Sequence, residues 1–568
     1  MTRRLATAIA TLVVAACAPQ APRAQLDALQ KAPVEIQILA FNDFHGNLEI
    51  PPPVEVVEPN GAKDEIVTGG AANLAAALGE LRRGHPNTVT VSAGDTIGAS
   101  PLISARYLDE PTIDAMNLLG LEFNSVGNHE FDRGVAELER MQAGGCTKYT
   151  LRTPCALEPF AGARFRYLAA NVIGADGKTI FPATAFKRFE TRSGPVTIAF
   201  IGETLKGTAN IVTPAGVRGL RFLDEAAAAN ALVPKLKAAG ADAIVLLIHQ
   251  GGKTSQFTDG NGCDGFYGDI QPIISKLDPQ ITTVISGHTH WAYICRGAQQ
   301  VGPARLLTSA GKYGYFLTDI RLYFDPLTHR LVDQTAHNIT VGSGARGKNP
   351  AEQALVDRYA AAIAPVARQV IGHLAAPATR DSQSGENSAA DLIADSMLAA
   401  TRSPERGGAQ LALVNGTGVR VDLSSGDIRY EAAFAMMPFG NNLVVMTLSG
   451  AEIKAAIEQQ YAVPIRSGFK LPAALAPSAG FSYAIDMSQP QGSRVVDMRL
   501  LGEPVDRAAR YRVVVNNYLA SGGDGLTVFT AGTDLTDKGI IDLDALIAWI
   551  SPGRTPPAPN RVRIVGIH

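Results

Sequence analysis

This chain of 568 residues carries almost no net charge: 51 Lys and Arg stand against 53 Asp and Glu, leaving −2 with histidine neutral. A general nucleic-acid binder needs a basic surface, so a nucleic-acid polymer is excluded as partner while a local basic pocket is not. Cysteine is scarce, five residues in all. None falls among the ligand-type residues described next, which argues against a thiolate zinc site. No internal repeat is apparent. The N-terminal apolar stretch, Leu5–Ala16, is shorter than the roughly 20 residues a membrane-spanning helix requires. What remains is an ordinary globular composition, 46% hydrophobic, over a length that accommodates two or more domains.

Five short apolar, β-rich runs in the first half end in metal-ligand residues. Val34–Phe41 leads into Asn42-Asp43-Phe44-His45, and Thr88–Ser92 into Gly94-Asp95. Phe123–Val126 leads into Gly127-Asn128-His129-Glu130-Phe131-Asp132, Ala243–Ile248 into His249-Gln250-Gly251, and Ile281–Ser286 into Gly287-His288-Thr289-His290. In open α/β sheets ligands gather at the carboxyl ends of strands. Each residue taken alone is an ordinary cap or turn residue; five such ends together indicate one assembled site. The donor set is too large for one tetrahedral ion and suits two. Two cations a few ångströms apart need a shared anion against their repulsion, and Asp95 is the natural bridge. Asp43, His45 and one histidine of the Gly287–His290 turn suit one ion. Asn128, His249 and the other histidine suit the second. Zn, Mn or Fe would tolerate these donors. His129 follows a residue that already fills its loop's ligand position, and Asp132 stands three residues on, where a carboxylate can orient an imidazole for catalysis.

The N-terminus has an export pattern. Arg3-Arg4 is a positive start, Leu5–Ala16 is apolar, and Val14-Ala15-Ala16-Cys17 matches a bacterial lipobox with Cys17 as the lipidated residue. Membrane contact would then run only through that lipid, with Ala18–Ala32 as a tether. The other four cysteines suit disulfides in an oxidising compartment. Cys146–Cys155 and Cys263–Cys295 are favoured among three arithmetically possible pairings.

Strand signals continue to about Phe324. A glycine-rich stretch follows, then Pro350–Val370 with helical spacing, in which Pro365 should kink or interrupt the helix. The expected division is an export signal and tether over 1–32, a metal-bearing domain over 33–345, a linker helix over 346–370 and a second domain over 371–568. In that domain Ser388–Ala400 has a helical face, and Leu411–Val414 ends in Asn415-Gly416-Thr417-Gly418-Val419-Arg420, whose glycines let backbone approach a ligand. Phe439 sits on the Met437–Asn441 loop. Tyr511–Asn516 runs into Asn517–Gly525, which carries Tyr518 and Asp524. Two aromatics on separate loops suit a sandwich around a planar base, and Asp524 can accept a hydrogen bond from base or ribose.

In this order, DFHG, GD, GNHEFD, HQGG and GHTH resemble the calcineurin-like metallophosphoesterases, and more narrowly the bacterial 5′-nucleotidase, UDP-sugar hydrolase and cyclic-nucleotide phosphodiesterase family. NGTGVR, PFGN and NYLASGGDG resemble the loops of that family's C-terminal domain. The resemblance covers nearly the whole mature chain. It implies a four-layer α/β/β/α sandwich followed by a smaller α+β domain. It assigns Asp43, His45, Asp95 and His290 to one divalent ion, and Asp95, Asn128, His249 and His288 to the other. It makes His129 and Asp132 a catalytic pair, and gives phosphate to Arg420, base stacking to Phe439 and Tyr518, and base reading to Asn441 and Asp524. Three departures stand out: Thr417 replaces a glycine, Tyr518 is often Phe in relatives, and before the second domain's first helix only Arg380 is a candidate phosphate ligand, with Asp391 near the place of a family asparagine. The implied activity is release of phosphate from nucleotides, 5′-nucleotidase type, by a hydroxide shared between two cations. Rivals are a UDP-sugar diphosphatase, a 2′,3′-cyclic phosphodiesterase or 3′-nucleotidase, a thiosulfohydrolase, and a nucleotide-binding surface lipoprotein without turnover. The expected location is periplasmic or anchored at the outer membrane.

Overall fold

The computed structural model describes residues 32–57, 63–150, 152–255, 260–297, 305–342, 347–380, 386–461, 474–551, 553 and 563–566. The export pattern, Cys17 and the tether up to residue 31 lie outside them, as do positions 343–346 of the glycine-rich stretch.

Two six-stranded sheets pack face to face. The first runs in the order 331–340, 316–324, 34–41, 88–92, 123–125, 166–168, and the second 292–296, 306–310, 281–286, 243–249, 194–204, 184–191. All five strands expected to carry ligands fall within one residue of their sequence-read bounds. Their apolar runs are continuous because both faces are covered. Ile36, Ile38 and Ala40 meet Val245, Leu247 and Phe200 between the sheets. Leu39 and Phe41 face the helices Ala71–Leu81 and Glu110–Leu119 on the outside of the first sheet. Ile244, Leu246 and Ile248 face the helix Glu225–Ala238 outside the second. This is the α/β/β/α sandwich. The central strands are parallel, so their carboxyl ends emerge along one rim.

The linker helix is shorter than its apolar spacing suggests. It spans Pro350–Ala367, capped by the Asn349 side chain, which accepts from the Ala351 and Glu352 N–H groups. Pro365 does not interrupt it: the proline lies in the last turn, and the helix runs on past it to Ala367. Val370 is not helical. It opens the strand Val370–Leu374, which pairs with Gly426–Arg429, and the Tyr430 N–H binds the Gln369 carbonyl. That long-range pairing overrides local helical spacing. Leu355, Tyr359 and Ile363 join one core with Met116 of the first domain and Phe434 of the second.

The second domain is built on a five-stranded sheet ordered 475–477, 411–415, 510–516, 442–449, 533–541, beside a four-stranded one. Leu411–Asn415 and Arg510–Asn516 are parallel, so the loops that follow them leave at the same end. Asn442–Ser449 is antiparallel to Arg510–Asn516, with Leu443 opposite Asn516, so the loop before it starts there too. Topology thus gathers the Asn415–Arg420, Pro438–Asn441 and Asn517–Gly525 loops. Both expected disulfides, Cys146–Cys155 and Cys263–Cys295, are formed. No helix among the described residues is long and apolar enough to cross a membrane.

Candidate functional site

The five strand ends converge. Donor atoms of Asp43, His45 and His290 lie within 4.8 Å of one another, as do those of Asp95, His249 and His288, and Asp95 also groups with His45 and His129. His45 Nε2 is 3.1 Å from His290 Nε2, and His290 Nε2 is 3.4 Å from Asp43 Oδ1. His249 Nε2 lies 2.9 Å from Asp95 Oδ2 without the alignment of a hydrogen bond, and Asn128 Oδ1 is buried with no partner among the described residues. Buried polar atoms are normally satisfied. Donor atoms that crowd together yet leave lone pairs unused fit a pair of divalent cations, with Asp95 between the two groups.

Backbone geometry carries a cost for this. Asp43, His45, Asp95, His288 and His290 all have positive φ, between 47° and 72°. Such conformations cost about 1–3 kcal/mol each for non-glycine residues and persist where the surrounding structure enforces them, commonly at functional sites. The surroundings then fix each donor. Carbonyls can only accept, so Gly98 O at 2.9 Å from His45 Nδ1 and Ala93 O at 2.7 Å from His249 Nδ1 place the protons there and leave both Nε2 lone pairs for a ligand. Asn42 Nδ2 donates to Asp43 Oδ2 at 2.7 Å, and the His288 N–H adds a second bond at 2.9 Å. Gly127 permits close passage, since a Cβ there would lie 2.2 Å from Asp95 Oδ1.

Electrostatics match. Burial alone would raise Asp43 and Asp95, but the surrounding histidines outweigh it and hold both carboxyls well below the usual range. Burial pushes His288 down to about 4 and His290 to about 3. Burial would also lower His249, but Asp95 and Asp43 overcome it and hold it at about 10. A proton at His249 and a cation between His249 and Asp95 therefore compete for one place.

His129 stands apart from this set. Its Nδ1 meets Asp132 Oδ2 at 2.8 Å, and its N–H donates to Asp95 Oδ1 at 2.8 Å. Burial lowers its basicity, but Asp132 and Asp95 together raise it above that of an ordinary imidazole. Gly98, at φ 83°, makes room for the pair: a Cβ there would sit 2.4 Å from His129 O and 2.9 Å from Asp132 Oδ2.

A cavity of about 320 Å³ opens over this end and is shared by the domains. His129, Asp132, Asn128 and His288 line one side, and Arg420, Phe439, Asn441, Tyr518 and Asp524 the other. The Phe439 ring is stacked on His129 at 6.1 Å, with the Arg420 guanidinium 5.8 Å from its centroid. Gly523 lies flat against the Tyr518 ring, where a Cβ would come within 2.5 Å, so backbone covers one ring face. Asp524 is already engaged: Tyr518 Oη donates to Oδ1 at 2.7 Å, and Thr417 Oγ1 and Asn415 Nδ2 donate to Oδ2 at 2.7 and 3.0 Å. The threonine that replaces glycine thus ties two loops together. Asn441 donates to Asp542 at 3.2 Å. Arg380 is absent from the cavity lining; its Nε donates to Asp422 at 3.0 Å. Asp391 is buried 3.9 Å from Arg563, away from the cavity.

Sequence reasoning gave no role to Glu130, which lies inside the Gly127–Asp132 segment. Its carboxylate accepts from the Asp95, Thr96 and Gly127 N–H groups at 2.9, 2.8 and 2.6 Å, locking two ligand loops together. A carboxylate flanked by ligand positions was the available signal, but its inward direction was not.

The model of the calcineurin-like phosphoesterases matches residues 36–292, and that of the 5′-nucleotidase C-terminal domain matches residues 370–531. The chain belongs to the 5′-nucleotidase family of metallophosphoesterases. The crystal structure of a 5′-nucleotidase precursor from Thermus thermophilus is similar at a TM-score of 0.72 and 26% identity, covering 94% of this chain and 100% of that one. An NAD 5′-nucleotidase of Haemophilus influenzae is 24% identical over 581 residues, 90% of this chain and 88% of that protein. An endonuclease of Bacillus subtilis is 29% identical over 521 residues, 90% of this chain but 39% of that protein, so the chain spans well under half of that relative. The phosphoesterase match spans the residues of the carboxylate–imidazole cluster, and the C-terminal-domain match those of the loops that face it.

Proposed function

We propose that this chain is an exported, metal-dependent phosphohydrolase that releases phosphate from nucleotides, of the 5′-nucleotidase type. The observation that carries this reading is the shared cavity, in which a ligand cluster and a histidine–aspartate pair face two aromatic rings and an arginine. Asp43, His45, Asp95 and His290 would hold one divalent ion, and Asp95, Asn128, His249 and His288 the other. Bound there, the ions supply Lewis acidity and an activated water. Asp132 orients His129 through Nδ1, leaving Nε2 to meet charge that develops on the phosphoryl oxygens. Arg420 binds the phosphate. Phe439 and Tyr518 hold the base, while Asp524, fixed by Thr417 and Asn415, sets the rim against which the ribose rests. The export signal, with a lipid on Cys17, is part of the same proposal, and two disulfides suit that compartment.

The test is a panel of nucleoside mono-, di- and triphosphates, UDP-glucose, 2′,3′-cAMP and p-nitrophenyl phosphate, run with Mn, Zn and Co on wild type and on Phe439→Ala/Tyr518→Ala. Each lost stack is worth about 1–3 kcal/mol, so KM for the monophosphate rises at least ~30-fold in the double variant. The baseless p-nitrophenyl ester changes little. Equal losses on both substrates would mean that the rings serve the fold. No loss on either would move the substrate elsewhere.

A further inference from the structure

Two cations stand on opposite sides of His45, Arg420 in the cavity lining and Lys312 behind the Tyr313 ring, and among the described residues neither has an acid partner. Lys312 follows the strand Leu306–Ala310, and its neighbours are bonded to the ligand loop: Asn42 Nδ2 donates to Gly311 O at 2.7 Å, and the Tyr313 N–H donates to Asp43 O at 2.8 Å. Its ammonium lies 4.6 Å from the centroid of the Tyr313 ring. Tyr313, itself at φ 57°, stands edge-on to His45 at 5.9 Å and beside His290 at 6.0 Å. From the second domain Arg420 approaches by the opposite route, over Phe439, which stacks on His129, which meets His45 at 5.1 Å. The two cations thus end one series of rings that crosses the domain boundary. Among the described residues neither side chain makes an ion pair, and Lys312 donates no hydrogen bond. Both are half-buried. Burial, with Arg420 and Arg380 facing it, lowers the Lys312 ammonium to about 8, and only Asp43 opposes this. Unpaired, partly desolvated like charges repel, and an anion placed between them would relieve both.

We propose that Lys312 is a substrate-binding residue of the metal-bearing domain, and that it and Arg420, one cation from each domain, grip the phosphate of the nucleotide between them. This rests on the phosphohydrolase reading above. It adds a phosphate contact that the second domain does not supply, and it makes the phosphate the group that bridges the domains.

The test uses metal-loaded full-length protein and inorganic phosphate, titrated calorimetrically, beside steady-state kinetics on a nucleoside monophosphate and on p-nitrophenyl phosphate. Lys312→Gln is expected to raise the phosphate Kd at least tenfold and to raise KM for both esters by a common factor, because both carry the same phosphate. Its kcat should stay within about threefold and its metal content at two ions. Lys312→Arg keeps the charge and should hold the phosphate Kd within about threefold of wild type. An unchanged Kd in Lys312→Gln would overturn the inference and reduce the lysine to a partner of the Tyr313 ring. So would equal losses in Lys312→Gln and Lys312→Arg, which would mark a packing role. If wild type binds phosphate through Lys312 yet hydrolyses no nucleotide, the phosphohydrolase reading fails and this contact stands.

Discussion

Replacing Glu130 by glutamine tests whether the two ligand loops are held by a carboxylate. Oε1 accepts from the Thr96 N–H, and Oε2 from the Asp95 and Gly127 N–H groups. Glutamine turns one of these oxygens into an NH2 group. Whichever is replaced, at least one buried backbone N–H loses its acceptor and meets a donor. A buried donor left unsatisfied costs about 1–3 kcal/mol. Asp95 and Asn128 sit on the loops that lose this bond, so much of the cost falls on metal binding. Changes behind the ligands weaken metal affinity about 10–100-fold, or ~1.4–2.7 kcal/mol, which lies within that range. Calorimetric titration of chelator-stripped Glu130→Gln with Mn²⁺ should show this loss. At saturating metal kcat should return to within about threefold of wild type, since Glu130 does not line the cavity. Wild-type metal affinity would refute the reasoning. It would mean that the carboxyl is protonated, as burial and Asp95 favour by pushing it up to about 8, and that glutamine copies it. Lost turnover with both ions bound would refute it differently, by giving Glu130 a part in the chemistry.

Two further outcomes are expected. Asp95→Asn removes the charge shared by both groups of donors and should abolish nearly all turnover with loss of metal; elemental analysis that still finds two ions, with turnover near wild type, would end the bridging assignment. His129→Ala should lower kcat by about two to four orders of magnitude with metal content near two, and an emptied site would make His129 a ligand.

The first domain was largely legible because its chemistry and its topology are written in the same place. Parallel strands covered on both faces produce apolar runs, and the residues that end those runs are the ones the fold brings together. Asp43, Asp95, Asn128, His249 and His288 could therefore be read as a set. The second domain was legible as loops, not as contacts. Nothing local in Thr417 announces that it will bind Asp524, more than a hundred positions later, and Asp524 read as a free acceptor although three donors occupy it. Arg380 looked available for phosphate because its partner, Asp422, arrives on another segment. Val370 continued an apolar spacing that fits a helix, and only the strand at Gly426–Arg429 reassigns it. Lys312 carries no signal in the sequence, and its half-buried place against the Tyr313 ring is visible only in three dimensions.

The three loops at one end of the second sheet have a consequence for how new specificities arise. On the reading proposed above, Phe439, Asn441, Tyr518 and Asp524 on these loops would meet the part of the substrate that departs, whereas Arg420 and the first domain would meet the phosphate that is attacked. Each half is held by its own sheet, and the halves meet at the cavity, along the helix Pro350–Ala367 and in contacts such as the Arg152 guanidinium over the Phe434 ring at 5.5 Å. On that reading, mutations in Pro438–Asn441 or Asn517–Gly525 would explore different leaving groups while the phosphate-handling residues stay in place. A lineage built this way diversifies by redrafting one margin of the site and inheriting the other, and a chimera that exchanges residues 371–568 between relatives would carry its donor's choice of leaving group with it.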